Sequence, residues 1–403
     1  MDNKKNIAEV FESYIRSGIK TKKEKSLGIE VEHFVLEKDS LKSVPYSGVG
    51  GVKEIIQKLM SLYADAEPIM GEDILGFNTK DFNITLEPAA QIEISVAQSD
   101  DIKHIGGIYK GFYKNLSDIL EPLGKCLCPV GCQPVSHVDD LELIPKGRYR
   151  LMDEHFKKTG TGGRQMMRGT ASSQISVDYT SEEDFRRKLQ AAYFYTPLFK
   201  LGTDRVKTFQ GEPVGMRMKR TDIWNRTDPS RCGVLPGVFK PDYGFKDYAE
   251  YLCSVPLIFI PENGTERYTG FATAPELFAG REITKSETEH VFSMPFPDVR
   301  VKRYLEIRGA DAMPFEGGSA FCALVKGLLY SEDVLDYVQM CIRKKGLTEE
   351  SIRITEESLM KNGWEGLIYG QPAREFLEKT LARCEESLTE DERMMLRGWE
   401  WGE

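Results

Sequence analysis

In LGIEVEHF, residues 27–34, carboxylates and branched apolar side chains alternate: Glu30 and Glu32 fall on one side, Ile29 and Val31 on the other. Alternation with a period of two marks a strand with two unlike faces. The pattern recurs three times. In NITLEPAAQIEISV, residues 83–96, Gln91, Glu93 and Ser95 oppose Ile92, Ile94 and Val96, with Glu87 just before them at Pro88. In QISVDY, residues 174–179, Gln174, Ser176 and Asp178 oppose Ile175 and Val177. In RYLEIRGAD, residues 303–311, Tyr304, Glu306 and Arg308 oppose Leu305 and Ile307. An antiparallel sheet with one wet face accounts for the alternation, but not for two polar faces that are nearly pure carboxylate. Stacked like charges repel unless cations neutralise them. Hard oxygen ligands in that number suit Mg²⁺ or Mn²⁺, ions that also bind substrate phosphates. The strands therefore predict a metal–nucleotide site on one face of a sheet.

Working outward, Ile7, Val10, Phe11, Tyr14 and Ile15 predict a helix over 7–19, and SGVGGV (47–52) a turn before a helix over 52–62. Thr180 and Glu183 form a capping-box pattern opening a helix to about Phe199. From Ser319 onward the chain reads as mainly helical. Residues 145–170 are Gly-rich, basic and weakly periodic, and are expected to form a mobile loop that closes over the site. Without an internal repeat or a Pro/Ser-rich linker, residues 1–403 are read as one catalytic domain of α+β class. Its sheet-rich core is placed at about 20–311 and its helical part at about 317–403.

With 54 Lys plus Arg against 63 Asp plus Glu, the formal charge is −9, which argues against a nucleic-acid partner. Val255–Ile260 is interrupted by Pro256 and is far too short to span a bilayer. The first twenty residues lack the apolar run of a signal peptide, so a cytoplasmic location and reduced cysteines are expected. No Walker G-x-x-x-x-G-K-[ST] and no G-x-G-x-x-G after a strand occur, which removes P-loop and Rossmann sites. Cations for a phosphate come instead from Arg217, Lys219 and Arg220 and from the run Arg303 to Arg308.

The same segments occur with PKGRY (145–149), Met166-Met167, MRMKRTDIWNRTDPSRCG (216–233) and VKRYLEIRGAD (301–311), all in one order. In this the chain resembles the glutamate–cysteine ligases of the plant and α-proteobacterial type over residues 28–311. The resemblance implies a glutamine-synthetase-like fold, a curved antiparallel sheet forming a funnel surrounded by helices. It implies ATP-dependent joining of the γ-carboxylate of L-glutamate to the amine of L-cysteine, with Mg²⁺ or Mn²⁺. Carried over by motif, Glu30, Glu32, Glu87 and Glu93 would hold metal, and Glu30, Glu32 and Arg308 would be catalytic. Gln91, Arg217, Trp224 and Arg231 would bind the amino-acid substrates, and Glu306 and Arg308 would lie on the nucleotide side. Two departures stand out. Ala89-Ala90 occupy a tight turn where the family has Gly-Gly, and Ala171-Ser172-Ser173 replace Thr-Cys-Thr. The second motivates a rival reading, the same fold with a different amine acceptor. A guanidino-kinase-type phosphotransferase and a non-catalytic metal or metabolite sensor are more distant rivals.

Overall fold

In the computed structural model the four alternating segments lie side by side. The structure describes residues 2–21, 24–262 and 264–401, with the backbone alone for residues 2–5. Nine strands form one open antiparallel sheet: β1 (Leu27–Glu37), β2 (Glu67–Met70), β3 (Ile74–Asn78), β4 (Phe82–Leu86), β5 (Ile92–Ser99), β6 (Lys125–Cys128), β7 (Ser172–Val177), β8 (Val299–Val301) and β9 (Leu305–Asp311). Their order is β8-β9-β7-β1-β5-β4-β3-β2, with β6 paired to the far end of β1. Register superimposes the polar faces. Glu30 stands opposite Ser95 on one side and Gln174 on the other, and Glu32 opposite Glu93. Glu306 stands opposite Ser176 and Arg300.

The opposite face is apolar, and Ile29, Val31, Ile92, Ile94, Ile175, Val177, Leu305 and Ile307 are all buried. Burying a side chain of this size contributes roughly 1.5–3 kcal/mol, so the face needs a cover. Helices α3 (Ile102–Leu120), α6 (Glu182–Thr203) and α9 (Phe315–Leu329) supply it. Helix α9 presses so close to β1 that a Cβ at Gly318 would lie 3.2 Å from Ile29 and from the Tyr109 ring.

Other expectations hold with shifted ends. Helix α1 is Asp2–Arg16, burying Ile7, Phe11 and Ile15 and packing on α8 (Phe245–Ser254), and α2 is Val52–Met60. Helix α6 opens one residue later than read: Ser181 accepts from the Asp184 N–H at 3.0 Å, and Asp184 in turn accepts from Thr180. The region 145–170 differs from the expected loop. It forms α4 (Gly147–Thr159) and α5 (Gly163–Gly169). Its inward positions include Asp153, His155 and Arg168 besides Tyr149 and Phe156. Polar residues at core positions erase the apolar period by which a helix is recognised in sequence.

Candidate active site

The polar face of the sheet floors a cavity of about 310 Å³, lined among others by Glu30, Glu32, Glu87 and Glu93. Strand β1 supplies the first two and β5 the last, and Glu87 comes from the turn between β4 and β5. That turn is closed by hydrogen bonds from the Glu87 N–H to the Gln91 carbonyl and from the Ala90 N–H to the Glu87 carbonyl, both 2.9 Å. Ala90 takes the left-handed backbone (φ 65°) that a glycine would adopt without strain. Facing the carboxylates are Arg148 and Tyr149 of α4, and Arg300, Lys302 and Arg308 from the β8–β9 hairpin. Phe259, Met294 and Phe296 form the apolar wall.

The carboxylates titrate as a crowded group. Burial, then the charge of Glu306, raises the Glu30 pKa. Burial, then the charge of Glu87, pushes Glu32 up to about 7 despite bonds from the Ser172 N–H and hydroxyl, both 2.9 Å. Glu93 is raised well above the ordinary range by burial and then by Glu30, Glu87 and Glu32, although Thr85 donates to it at 2.8 Å. Such a cluster is held ionised only by cations. Gln174 links the two charge types: its amide donates to Glu32 at 3.2 Å and its carbonyl oxygen accepts from Arg308.

Behind the cavity lies a second charged layer. Glu306 is completely buried and pairs with Arg300 at 2.6 Å and with Lys302 and Arg308 at 2.9 Å. Those three cations hold its carboxyl well below the usual range although burial alone would raise it. It does not line the cavity but aims three cations that do. Glu306, expected on the nucleotide side, is thus placed behind the cations that line the cavity.

Arg308 and Phe296 also border a narrower pocket lined by Lys200, Arg220, Thr221, Trp224 and Asp298. Trp224 is therefore next to the cavity, carried by α7 (Lys219–Asn225). Its Nε1, the Arg220 Nε and the Asp298 Oδ2 are buried without partners around a space of only about 10 Å³, room for one water-sized group. Lys200 bridges Asp298 (2.8 Å) and Glu356 (2.7 Å).

Three expected substrate residues lie elsewhere. Gln91 is buried, and its amide is spent on backbone: it accepts from the Ala89 N–H at 2.9 Å and donates to the Thr170 carbonyl at 3.1 Å. Arg231 is buried against Asp228 at 2.7 Å and donates to the Met294 carbonyl at 3.2 Å, so it braces the cavity wall. Arg217 is exposed and lines a separate groove with Trp364 and Arg374. His33 is buried on the apolar face, where Ile92 and Tyr109 hold its two ring nitrogens. Arg300 and Lys302 were missed, and a signal existed: they share the even-numbered alternation of Tyr304, Glu306 and Arg308. Arg148 carried no such signal, because a helix brings it from outside the sheet.

The residues behind the rival acceptor reading also have other duties. The Ser172 hydroxyl is bonded to Glu32, Ser173 accepts from the Met313 N–H at 3.1 Å, and Ala171 is buried beside Phe34 and Ala312.

The model of glutamate-cysteine ligase family 2 matches residues 26–397. Curated relatives include the chloroplastic glutamate–cysteine ligases of Brassica juncea and Arabidopsis thaliana. Each is 31% identical and matches 81% of this chain, and the chain spans 64% and 63% of their respective lengths. Among solved structures, the glutamate–cysteine ligase of Francisella tularensis in complex with AMP superimposes with a TM-score of 0.52 at 10% identity, over 92% of this chain and 80% of that one. That likeness shows a shared α+β fold. The relatives overturn the cytoplasmic expectation, since those named here are chloroplastic proteins. Among the described residues no helix is long and apolar enough to cross a membrane. The match from residue 26 to residue 397, on the ordered set of strand motifs, establishes that this chain belongs to glutamate-cysteine ligase family 2.

Proposed function

We propose that the chain joins the γ-carboxylate of L-glutamate to the amine of L-cysteine at the expense of ATP. One observation carries this: four carboxylates and four cations face each other across a single cavity of about 310 Å³ in a member of this family. A carboxylate is a poor acyl donor, and transfer of the γ-phosphoryl group makes it an acyl phosphate. Arg148, Arg300, Lys302 and Arg308 are placed to take the charge of the transferring phosphoryl group. The Arg220–Trp224–Asp298 pocket beside them has room for a water-sized group only, so the amino-acid substrates are assigned to the cavity itself, next to this polar corner. The acceptor amine then attacks the acyl carbon and phosphate leaves, with no Ser or Cys nucleophile required.

Glu30, Glu32, Glu87 and Glu93 are proposed to hold Mg²⁺, with Mn²⁺ as a substitute. The hard-oxygen donor set and the raised pKa values of Glu30, Glu32 and Glu93 support this. Among the described residues no three carboxylate, thiol or imidazole groups converge as a ready coordination shell. Mg²⁺ ordinarily takes one or two carboxylates and completes its octahedron with water and phosphate oxygens. When bound, the ion would screen the approach of one anion to another. Residues 1–403 are proposed to act as one catalytic unit, since α9 and α6 form the back of the sheet that carries the site.

The test is ADP release by purified protein with ATP, Mg²⁺ and L-glutamate, with and without L-cysteine, the product identified by mass. Cysteine-dependent release with γ-glutamylcysteine formed is the expected result. Release coupled to another amine would transfer the reading to a different acceptor, and no turnover with any amine would refute it.

A further inference from the structure

Arg217, displaced from the active site, points to a second anion site. The chain reverses at Met218, whose backbone is left-handed (φ 56°) and whose N–H donates to Asp204 at 2.8 Å. A non-glycine residue in that region is strained, and the reversal separates two neighbouring arginines. Arg220 goes inward to the pocket beside Trp224, and Arg217 goes outward. The Arg217 N–H donates to the Met360 carbonyl at 3.0 Å. Its side chain lies over Gly363, where a Cβ would meet the Arg217 Cγ at 3.2 Å.

The result is a groove of about 640 Å³ with Lys207, Arg217, Lys361 and Arg374 on its walls and the mostly buried Trp364 beneath. Arg374 reaches one acid, Glu365, at 3.7 Å, and both side chains are largely exposed, so the pair neutralises little. Among the described residues, Lys207, Arg217 and Lys361 have no ion pair or side-chain hydrogen bond. Four cations line the groove against one lining carboxylate, with the buried Asp204 near Arg217, and so leave a net positive field on a chain of net charge −9. A cleft lined by one sign of charge focuses that field on its ligand.

We propose that this groove binds a small, multiply charged anion, an organic phosphate or a polycarboxylate, at a site separate from the ATP cavity. A single carboxylate would gain too little from exposed cations, whereas two or more anionic groups engage several at once. The groove is local and the chain around it acidic, which disfavours a nucleic acid.

Calorimetric titration of the full chain, metal-free and at low salt, with inorganic pyrophosphate and separately with citrate, tests the proposal. The active-site cavity is itself cationic, so two variants are compared: Arg217→Gln with Lys361→Gln, and Arg148→Gln. The expected result is a binding event that the groove variant weakens at least tenfold and Arg148→Gln leaves unchanged. Binding of pyrophosphate alone identifies phosphate as the preferred group, and binding of both probes a general polyanion site. Binding that follows only Arg148, or none of either probe at millimolar concentration, overturns the proposal. The groove residues are exposed, so an unchanged thermal midpoint certifies the variant's fold.

Discussion

Glu306 shows how much depends on depth at a single residue. It shares the even-numbered alternation of Arg300, Lys302 and Arg308 in the sequence, yet it lies beneath the cavity and compensates those three cations. Glu306→Gln would leave the buried Arg300 and the half-buried Lys302 and Arg308 without that counter-charge. Breaking a buried pair by removing one partner costs about 3–5 kcal/mol. Urea denaturation should show a loss of that size, and turnover should fall because the cations lose their aim. An unchanged midpoint would mean the three cations find other partners. Alternation assigns a residue to a face but says nothing of which charges are consumed before a ligand arrives. For the same reason Arg231 and Gln91 read as substrate residues: both carry the right groups, already committed to Asp228 and to backbone. Arg148 lay within the quoted PKGRY segment, but its place beside the carboxylates exists only after α4 packs across the sheet.

Among elements, the strands were legible because their two faces differ in chemistry, and β1 shows both faces in successive residues. Glu32 faces the cavity, and His33 is buried against Ile92 and Tyr109 on the other side. Burial lowers the His33 pKa from 6.5 to about 4. The folded pKa lies below the unfolded one, so between pH 6.5 and 4 the unfolded chain takes a proton that the fold refuses. This stability is complete above pH 6.5 and drains as pH falls toward 4, by about 3 kcal/mol for such a shift. Replacing His33 by the non-titrating Gln should remove that part of the pH slope in denaturant unfolding; parallel curves would show that the ring is protonated in the fold. Helices α4 and α5 were illegible for the opposite reason: the glycines between them suggested mobility but serve close packing. A Cβ at Gly160 would lie 2.2 Å from the Arg226 carbonyl oxygen, and one at Gly162 2.2 Å from that of Ile223. Both carbonyls belong to α7 or its end, the element that carries Trp224. Gly160→Ala should therefore cost about 1–3 kcal/mol by overpacking and raise the KM for the amino-acid substrate. Unaltered stability would indicate that α4 and α7 can separate freely.

For the whole molecule, the same sheet that buries an apolar face on α3, α6 and α9 holds a cluster of carboxylates on the other, so fold stability and ion binding are linked. In metal-free protein, Glu32, pushed up to about 7, together with Glu30 and Glu93 takes up protons more readily folded than unfolded. The sign is that of a raised acid: this contribution is present at low pH and lost as pH rises from the ordinary carboxylate range through about 7. Divalent ions act in the opposite sense, because they bind only the ionised carboxylates. Saturating Mg²⁺ at about a hundred times its dissociation constant would stabilise the fold by about 2.7 kcal/mol. The rise in thermal midpoint on adding Mg²⁺, reversed by EDTA, should grow from pH 5 to pH 8. Glu93→Gln separates the two effects. It removes the charge most opposed by its neighbours, so the metal-free variant should melt at or above the wild-type midpoint and respond less to pH. Its Mg²⁺ increment should shrink, and turnover should drop at least about a hundredfold, as for loss of a group stabilising transition-state charge. A Glu93→Gln protein that keeps both the full Mg²⁺ shift and wild-type turnover would show that the ion is held elsewhere on the sheet.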